Sequence, residues 1–266
     1  MVALPAKKMA IVLEAKKLSK AFGAVTAAKE VSAAIEQDSV VGLIGTNGAG
    51  KTTFINMITG YLKPDTGAIE YQGRDITRLP PRAVTRLGIC RSFQIPQLYS
   101  SLSVLDNMHI GIGIVLRNAG LGGYFARGGA PVPGFGKPAE EVAEHLLARF
   151  GLADYRHRNA QVLPGGVRKL LDIALTMVAK PRVLLLDEPT SGVSSQEKFG
   201  IMQMVLDAVR AEGATVLFVE HDMEVVSRFA QRVLAFYDGR IIADAPPAIA
   251  LQDPEVKRHV VGRARA

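Results

Sequence analysis

Residues 45–53 read GTNGAGKTT and follow directly on the apolar run VVGLI at residues 40–44. An uninterrupted apolar run of that length, closed by a turn signal, reads as a strand buried on both faces. Gly45, Gly48 and Gly50 then allow a tight loop, and a helix follows it. The loop fits the spacing G-x-x-x-x-G-K-[ST] through Gly45, Gly50, Lys51 and Thr52, with Thr46, Asn47, Ala49 and Thr53 completing it. Such a loop turns successive backbone N–H groups onto phosphate oxygens and aims the positive end of the helix at them, while Lys51 adds a full charge. Thr52 can give its hydroxyl to Mg²⁺.

The rest of the chain suits the same architecture. Apolar runs at residues 183–186, 216–219 and 233–236 read as further buried strands with helical patterns between most of them. That alternation predicts an α/β fold with a mainly parallel sheet and helices on its faces. Near the start, IVLEAKKLSKAFG, KEVSAAIE and GAIEYQGRDI predict a small antiparallel β layer. From residue 103 to 179 helical stretches dominate, including LSVLDNMHI, PAEEVAEHLLARFG with Pro138 at its start and Gly151 just past its end, and VRKLLDIALTMVAK. One domain is therefore expected, with a core at about 10–95 and 180–245, an inserted helical subdomain at about 96–179, and a tail at 246–266. Residues 111–136 carry nine glycines together with Pro131 and Pro133, a composition expected to form a mobile loop rather than to pack a core.

A second chemical element stands at RVLLLDEPT. Its apolar run ends in Asp187, placed at a strand edge to hold Mg²⁺ through water, and Glu188 follows as a base able to activate an attacking water. Taken alone, such a pair reads equally well as a solvated strand end. Joined to the upstream loop it points to hydrolysis of a nucleoside triphosphate.

Composition narrows the partners. With 266 residues and 48% hydrophobic content the chain can bury a substantial core. The net charge of +7 comes from scattered lysines and arginines, and there is no Trp, so no nucleic-acid partner is expected. The single cysteine, Cys90, excludes an internal disulfide and reads as a small buried hydrophobe. No run approaches the ~18 apolar residues of a membrane-spanning helix, and the first residues lack the apolar stretch of a signal peptide, so a cytoplasmic location is expected.

With these motifs in place, the sequence from about residue 12 to 262 resembles the nucleotide-binding subunit of an ABC transporter, which implies a P-loop NTPase core bearing an antiparallel β layer and a helical subdomain. The resemblance assigns further residues. Gln94, in CRSFQIPQLYS, matches the glutamine that contacts Mg²⁺ and the attacking water and senses the membrane partner. His221, in VLFVEHDM, matches the histidine that contacts the γ-phosphate, and Phe22 matches the aromatic residue that stacks on adenine. Glu188, Gln94, His221 and Lys51 would be catalytic, and Thr52, Gln94 and Asp187 would hold the metal.

Two family motifs are altered. The signature, usually leucine-serine-glycine-glycine-glutamine, reads LPGGV at residues 163–167, yet Gly165, Gly166 and the helix start can still point amides at phosphate. Ser194, in SGVSSQ, stands where an Asp or Asn normally reaches across the dimer. Either the site that this signature completes in a partner turns over slowly, or proline is tolerated there.

Within the family the chain resembles the branched-chain amino acid importer ATPases through RSFQ, LSVLDNM, the glycine-containing insertion, VEHDMEVV and the closing PPAIALQDPEVKRHVVG. Importers of urea, amides or aromatic acids share these features. The alternatives are the ATPase of lipopolysaccharide export and a soluble ABC ATPase of repair or ribosome function. The resemblance implies ATP and Mg²⁺ as cofactors, a second ATPase subunit in a homo- or heterodimer, two integral membrane permease subunits, and indirectly a solute-binding protein. It places the chain peripherally on the cytoplasmic face of the inner membrane.

Overall fold

The computed structural model describes residues 10–92, 98–121 and 131–262. Two sheets organise it. Strands β1 (Ile11–Phe22), β2 (Val25–Glu36), β4 (Thr66–Tyr71) and β5 (Arg74–Asp75) form an antiparallel sheet in the order β2-β1-β4-β5. Strands β3 (Val40–Gly45), β6 (Ile89–Arg91), β7 (Val183–Asp187), β8 (Thr215–Val219), β9 (Arg232–Tyr237) and β10 (Arg240–Ala245) form the second sheet. Its order is β10-β9-β3-β8-β7-β6, parallel throughout except for β10.

The four apolar runs recognised in the sequence are β3, β7, β8 and β9, and period-two alternation divides their side chains between two cores. Val40, Ile44, Leu184, Leu186, Val216 and Phe218 face one apolar cluster. Val41, Leu43, Val183, Leu185, Leu217 and Val219 face the other, which the antiparallel sheet and helix α1 (Lys51–Ile58) close. Phe54 of α1 is fully buried, with its ring 5.5 Å from that of Phe236 on β9. This contact seats the helix on the sheet; truncating such a ring typically costs about 3–5 kcal/mol.

Helices α2 (Pro81–Leu87), α3 (Val104–Asn118), α4 (Ala139–Arg149) and α5 (Gly165–Met177) fall between β5 and β7. Ser103 opens α3 with a capping box: its hydroxyl accepts from the Asp106 amide while the Asp106 carboxylate accepts from the Ser103 amide. After β7 come α6 (Lys198–Ala211) and α7 (Met223–Phe229). No helix among the described residues is long and apolar enough to cross a membrane.

The expectation for residues 111–136 is corrected at both ends. Residues 111–118 continue α3, and Ile112 and Leu116 are fully buried with Met108 and Val104 one and two turns before Ile112. Val132 is fully buried as well. Glycine at 111 serves close packing here, since a Cβ on it would stand 2.8 Å from Leu175 Cδ2 of α5. Residues 122–130 lie outside the described part of the chain.

Candidate functional site

Strand β3 delivers its last residue, Gly45, into the GTNGAGKTT loop, and α1 begins at Lys51. Gly50 has φ 107°, and a Cβ there would lie 2.7 Å from the Ala27 carbonyl oxygen, so any other residue strains the turn. Lys51 is buried, and its ammonium donates to the carbonyl oxygens of Gly45 (2.6 Å) and Thr46 (3.1 Å). Burial pulls its pKa down, while the charges of Glu188 and Asp187 oppose that shift. Asn47, Gly48 and Thr52 are exposed on the open side of the loop.

The carboxylates come from the end of β7, two strands away across β8. Glu188 has φ 48°, a left-handed conformation uncommon for a side chain of its size. Its amide donates to the Val219 carbonyl at 3.1 Å, which ties it to the end of β8. His221 Nε2 stands 3.2 Å from Glu188 Oε1. Phe22, Lys51, Thr52, Asp187, Glu188 and His221 line one cleft of about 850 Å³, joined by Asn47, Gly48, Ala49, Gly50 and Thr53 of the loop. Gly45 and Thr46 form the entry to that loop through the Lys51 contacts. Phe22 is 53% exposed at the cleft, with the Lys20 ammonium 5.7 Å from its ring centroid.

Gly165 and Gly166 are not among the residues lining this cleft. They open α5, with Pro164 in the N-cap position and no side-chain cap on the helix start. An N-cap residue need not donate its own N–H to the helix, so proline leaves the amides that follow it intact. Val167 packs against the apolar cluster beneath. Ser194 donates its hydroxyl to Glu197 Oε2 of the same chain at 2.6 Å. Gln94 lies outside the described residues.

Three charged residues around the site escaped the sequence reading. Arg91, at the end of β6, places Nη2 2.5 Å from Asp187 Oδ2. Lys169 of α5 is buried and donates to the Asp187 carbonyl oxygen at 3.1 Å; burial lowers its pKa against the raising effect of Asp172 and the cleft carboxylates. Glu220 is buried and accepts from the Thr190 amide (2.9 Å) and hydroxyl (2.7 Å), and burial raises its pKa. Of the three, only Lys169 carried a local signal, as a charge three residues before Asp172 among the apolar residues 170, 171, 173 and 174 of the helix.

The oxygens available suit a hard cation. A hydroxyl from Thr52 and a carboxylate from Asp187 in a phosphate-binding cleft are the donors Mg²⁺ takes when substrate phosphates supply most of its shell. The described residues contain no cluster of His, Cys, Asp and Glu that would hold a metal unaided.

The family model described as ABC transporter matches residues 28–191, a span that includes the phosphate loop, LPGGV and the Asp187–Glu188 pair. The chain belongs to the ABC transporter family. Relatives of this ABC protein include the high-affinity branched-chain amino acid transport ATP-binding protein BraF of Pseudomonas aeruginosa, 32% identical over 95% of this chain and 98% of the relative. A probable branched-chain amino acid transport ATP-binding protein LivG of Methanocaldococcus jannaschii is 32% identical over 94% of this chain and 97% of its own. Among solved structures, an ATP-binding cassette of an ABC transporter in its ADP conformation superposes with a TM-score of 0.78 at 30% identity, covering 94% of this chain and 98% of the other. The ABC ATPase fold that the sequence resemblance implied is thus the fold observed.

Proposed function

We propose that this chain is the ATP-hydrolysing subunit of an importer for branched-chain amino acids or a related small polar solute, working as one of two subunits beneath membrane permeases. The observation that carries the reading is the single cleft that gathers the loop, Lys51, Asp187, Glu188 and His221 while leaving Gly165 and Gly166 outside it. A cleft with its cation, base and histidine but without the second helix start is half of a site, and a second ATPase subunit supplies the other half. The similarity to branched-chain amino acid transport proteins across nearly the whole chain supports the solute class.

In this reading Phe22 stacks on adenine, the loop amides from Gly45 to Thr53 cradle the phosphates, and the Lys51 ammonium meets the β- and γ-phosphates. Thr52, Asp187 and Gln94 would hold Mg²⁺, which would supply neutralisation of the phosphate charge. Glu188 accepts a proton from the attacking water, and His221, held near Glu188, steadies the γ-phosphate. Closure of two subunits over two nucleotides moves the helical part, about 96–179, against the core at about 10–95 and 180–245, with 246–266 as a tail. That motion passes to the permeases at the cytoplasmic face of the membrane, where the chain sits peripherally.

The test is ATP hydrolysis by the purified chain, alone and then assembled with its ATPase and permease partners in lipid. Low activity alone that rises on assembly is the expected result. High activity alone, unchanged by assembly, would contradict the transport motor.

A further inference from the structure

Arg91 ends the short edge strand β6 and contacts two elements of the cleft at once. Nη2 pairs with Asp187 Oδ2 at 2.5 Å and Nη1 donates to Asn56 Oδ1 of α1 at 2.7 Å, with both ion-pair side chains only 15% exposed. Its Nε is buried and has no hydrogen-bond partner among the described residues. The same side chain lines the nucleotide cleft on one side and, on the other, a separate and mainly apolar groove of about 370 Å³ edged by Tyr61, Tyr99, Ile114 and Leu175.

We propose that Arg91 is a positioning residue that shares the Asp187 carboxylate with the divalent cation, so that the guanidinium compensates Asp187 before the metal arrives and yields part of that carboxylate when it does. The inference rests on the reading of the cleft as a Mg-nucleotide site. An arginine stays charged at every working pH, so the compensation does not depend on protonation. Two charges this close and this little solvated interact far more strongly than a surface pair. Without the guanidinium, Asp187 presents a bare negative charge to the incoming phosphates and a stronger site to a cation. Arg91 therefore makes metal-free nucleotide binding tolerable at the cost of metal affinity. Its anchor on Asn56 fixes the fork, which a lysine cannot reproduce.

The test measures binding rather than turnover. A fluorescent ATP analogue is titrated onto wild type, Arg91→Met, Arg91→Lys, Asp187→Asn and the Arg91→Met/Asp187→Asn double variant, once with Mg²⁺ and once with EDTA. Mn²⁺ binding in the presence of the analogue is followed by electron paramagnetic resonance. In Arg91→Met the ratio of the dissociation constant in EDTA to that in Mg²⁺ is expected to rise about tenfold, in line with the effect of an arginine on a neighbouring carboxylate, and Mn²⁺ to bind more tightly. Arg91→Lys should fall between it and wild type, which keeps the test open if the methionine variant does not fold. In the Asp187→Asn background the second substitution should leave the ratio unchanged. A ratio in a folded Arg91→Met or Arg91→Lys protein equal to that of wild type overturns the proposal while leaving the cleft reading intact. Failure of wild type to bind the analogue with Mg²⁺ overturns both.

Discussion

The molecule begins two helices with glycine-rich turns, at Lys51 and at Gly165, and gives them unequal surroundings. The start of α1 has a buried cation, two carboxylates and a histidine within one cleft. The start of α5 has Pro164, Val167 and an uncapped run of amides, and its nearest neighbours are Gly192, Val193 and Ile201 of the same chain. Both ends carry the dipole of a helix, yet only the first has a cation and carboxylates of its own chain around it. A helix terminus is thus a component of an anion site, and a cation and a base must come from elsewhere in the fold.

The sharpest way to break this contrast is at the base. Glu188→Gln should lower hydrolysis about 10²- to 10⁴-fold while keeping nucleotide binding, so that an ATP-bound dimer accumulates on size-exclusion chromatography. Turnover at the wild-type rate would remove Glu188 from that role. Lys51→Ala comes next, with an expected loss of about 10²- to 10³-fold in hydrolysis and a weaker affinity in titration with labelled nucleotide.

At the other helix start, effects should be structural. A Cβ on Gly166 would stand 2.6 Å from Ile201 Cδ1, so Gly166→Val is expected to cost about 1–3 kcal/mol, read as a lowered denaturation midpoint. Pro164→Ser restores the more usual signature residue at an exposed N-cap and should change stability by less than about 0.5 kcal/mol. If hydrolysis by the assembled transporter also stays within a fewfold, proline is tolerated; a large rise would instead show that LPGGV had been limiting the partner's site.

The smallest expected effect lies at Glu220, behind the cleft. Burial raises its native pKa above the unfolded value, so the folded chain holds this proton to higher pH. Stability from this group is therefore fully present below the ordinary glutamate pKa and is lost as pH rises through the raised native value. Glu220→Gln keeps an acceptor for the Thr190 amide and hydroxyl and should flatten that decline. Urea midpoints for both proteins across this pH range check it, and parallel curves would argue against the buried carboxylate as the source.

The same contrast explains what could be read from the chain. Strands β3, β7, β8 and β9 were legible because burial on both faces demands unbroken apolar runs, and the phosphate loop because its spacing is set by backbone geometry. The placement of Cys90 was legible too: it is buried, and desolvation pushes its thiol up to about 12. The continuation of α3 through Gly111 and Gly113 was not, because glycine content hid the four-residue spacing of Met108, Ile112 and Leu116. Arg91 and Glu220 were illegible for another reason. Their partners lie 96 and 30 residues away in sequence, and only the strand order brings them together.

The backbone of Glu188 carries one more consequence. At φ 48° a residue with a side chain typically sits at a cost of about 1–3 kcal/mol, and glycine would occupy the same turn without strain. A screen that rewarded thermal resistance alone would therefore favour losing the carboxylate to which the proposed function assigns the attack of water. At this residue durability and activity pull the sequence in opposite directions, and a heat-hardened variant found by such a screen should be sequenced at position 188 before its rate is trusted.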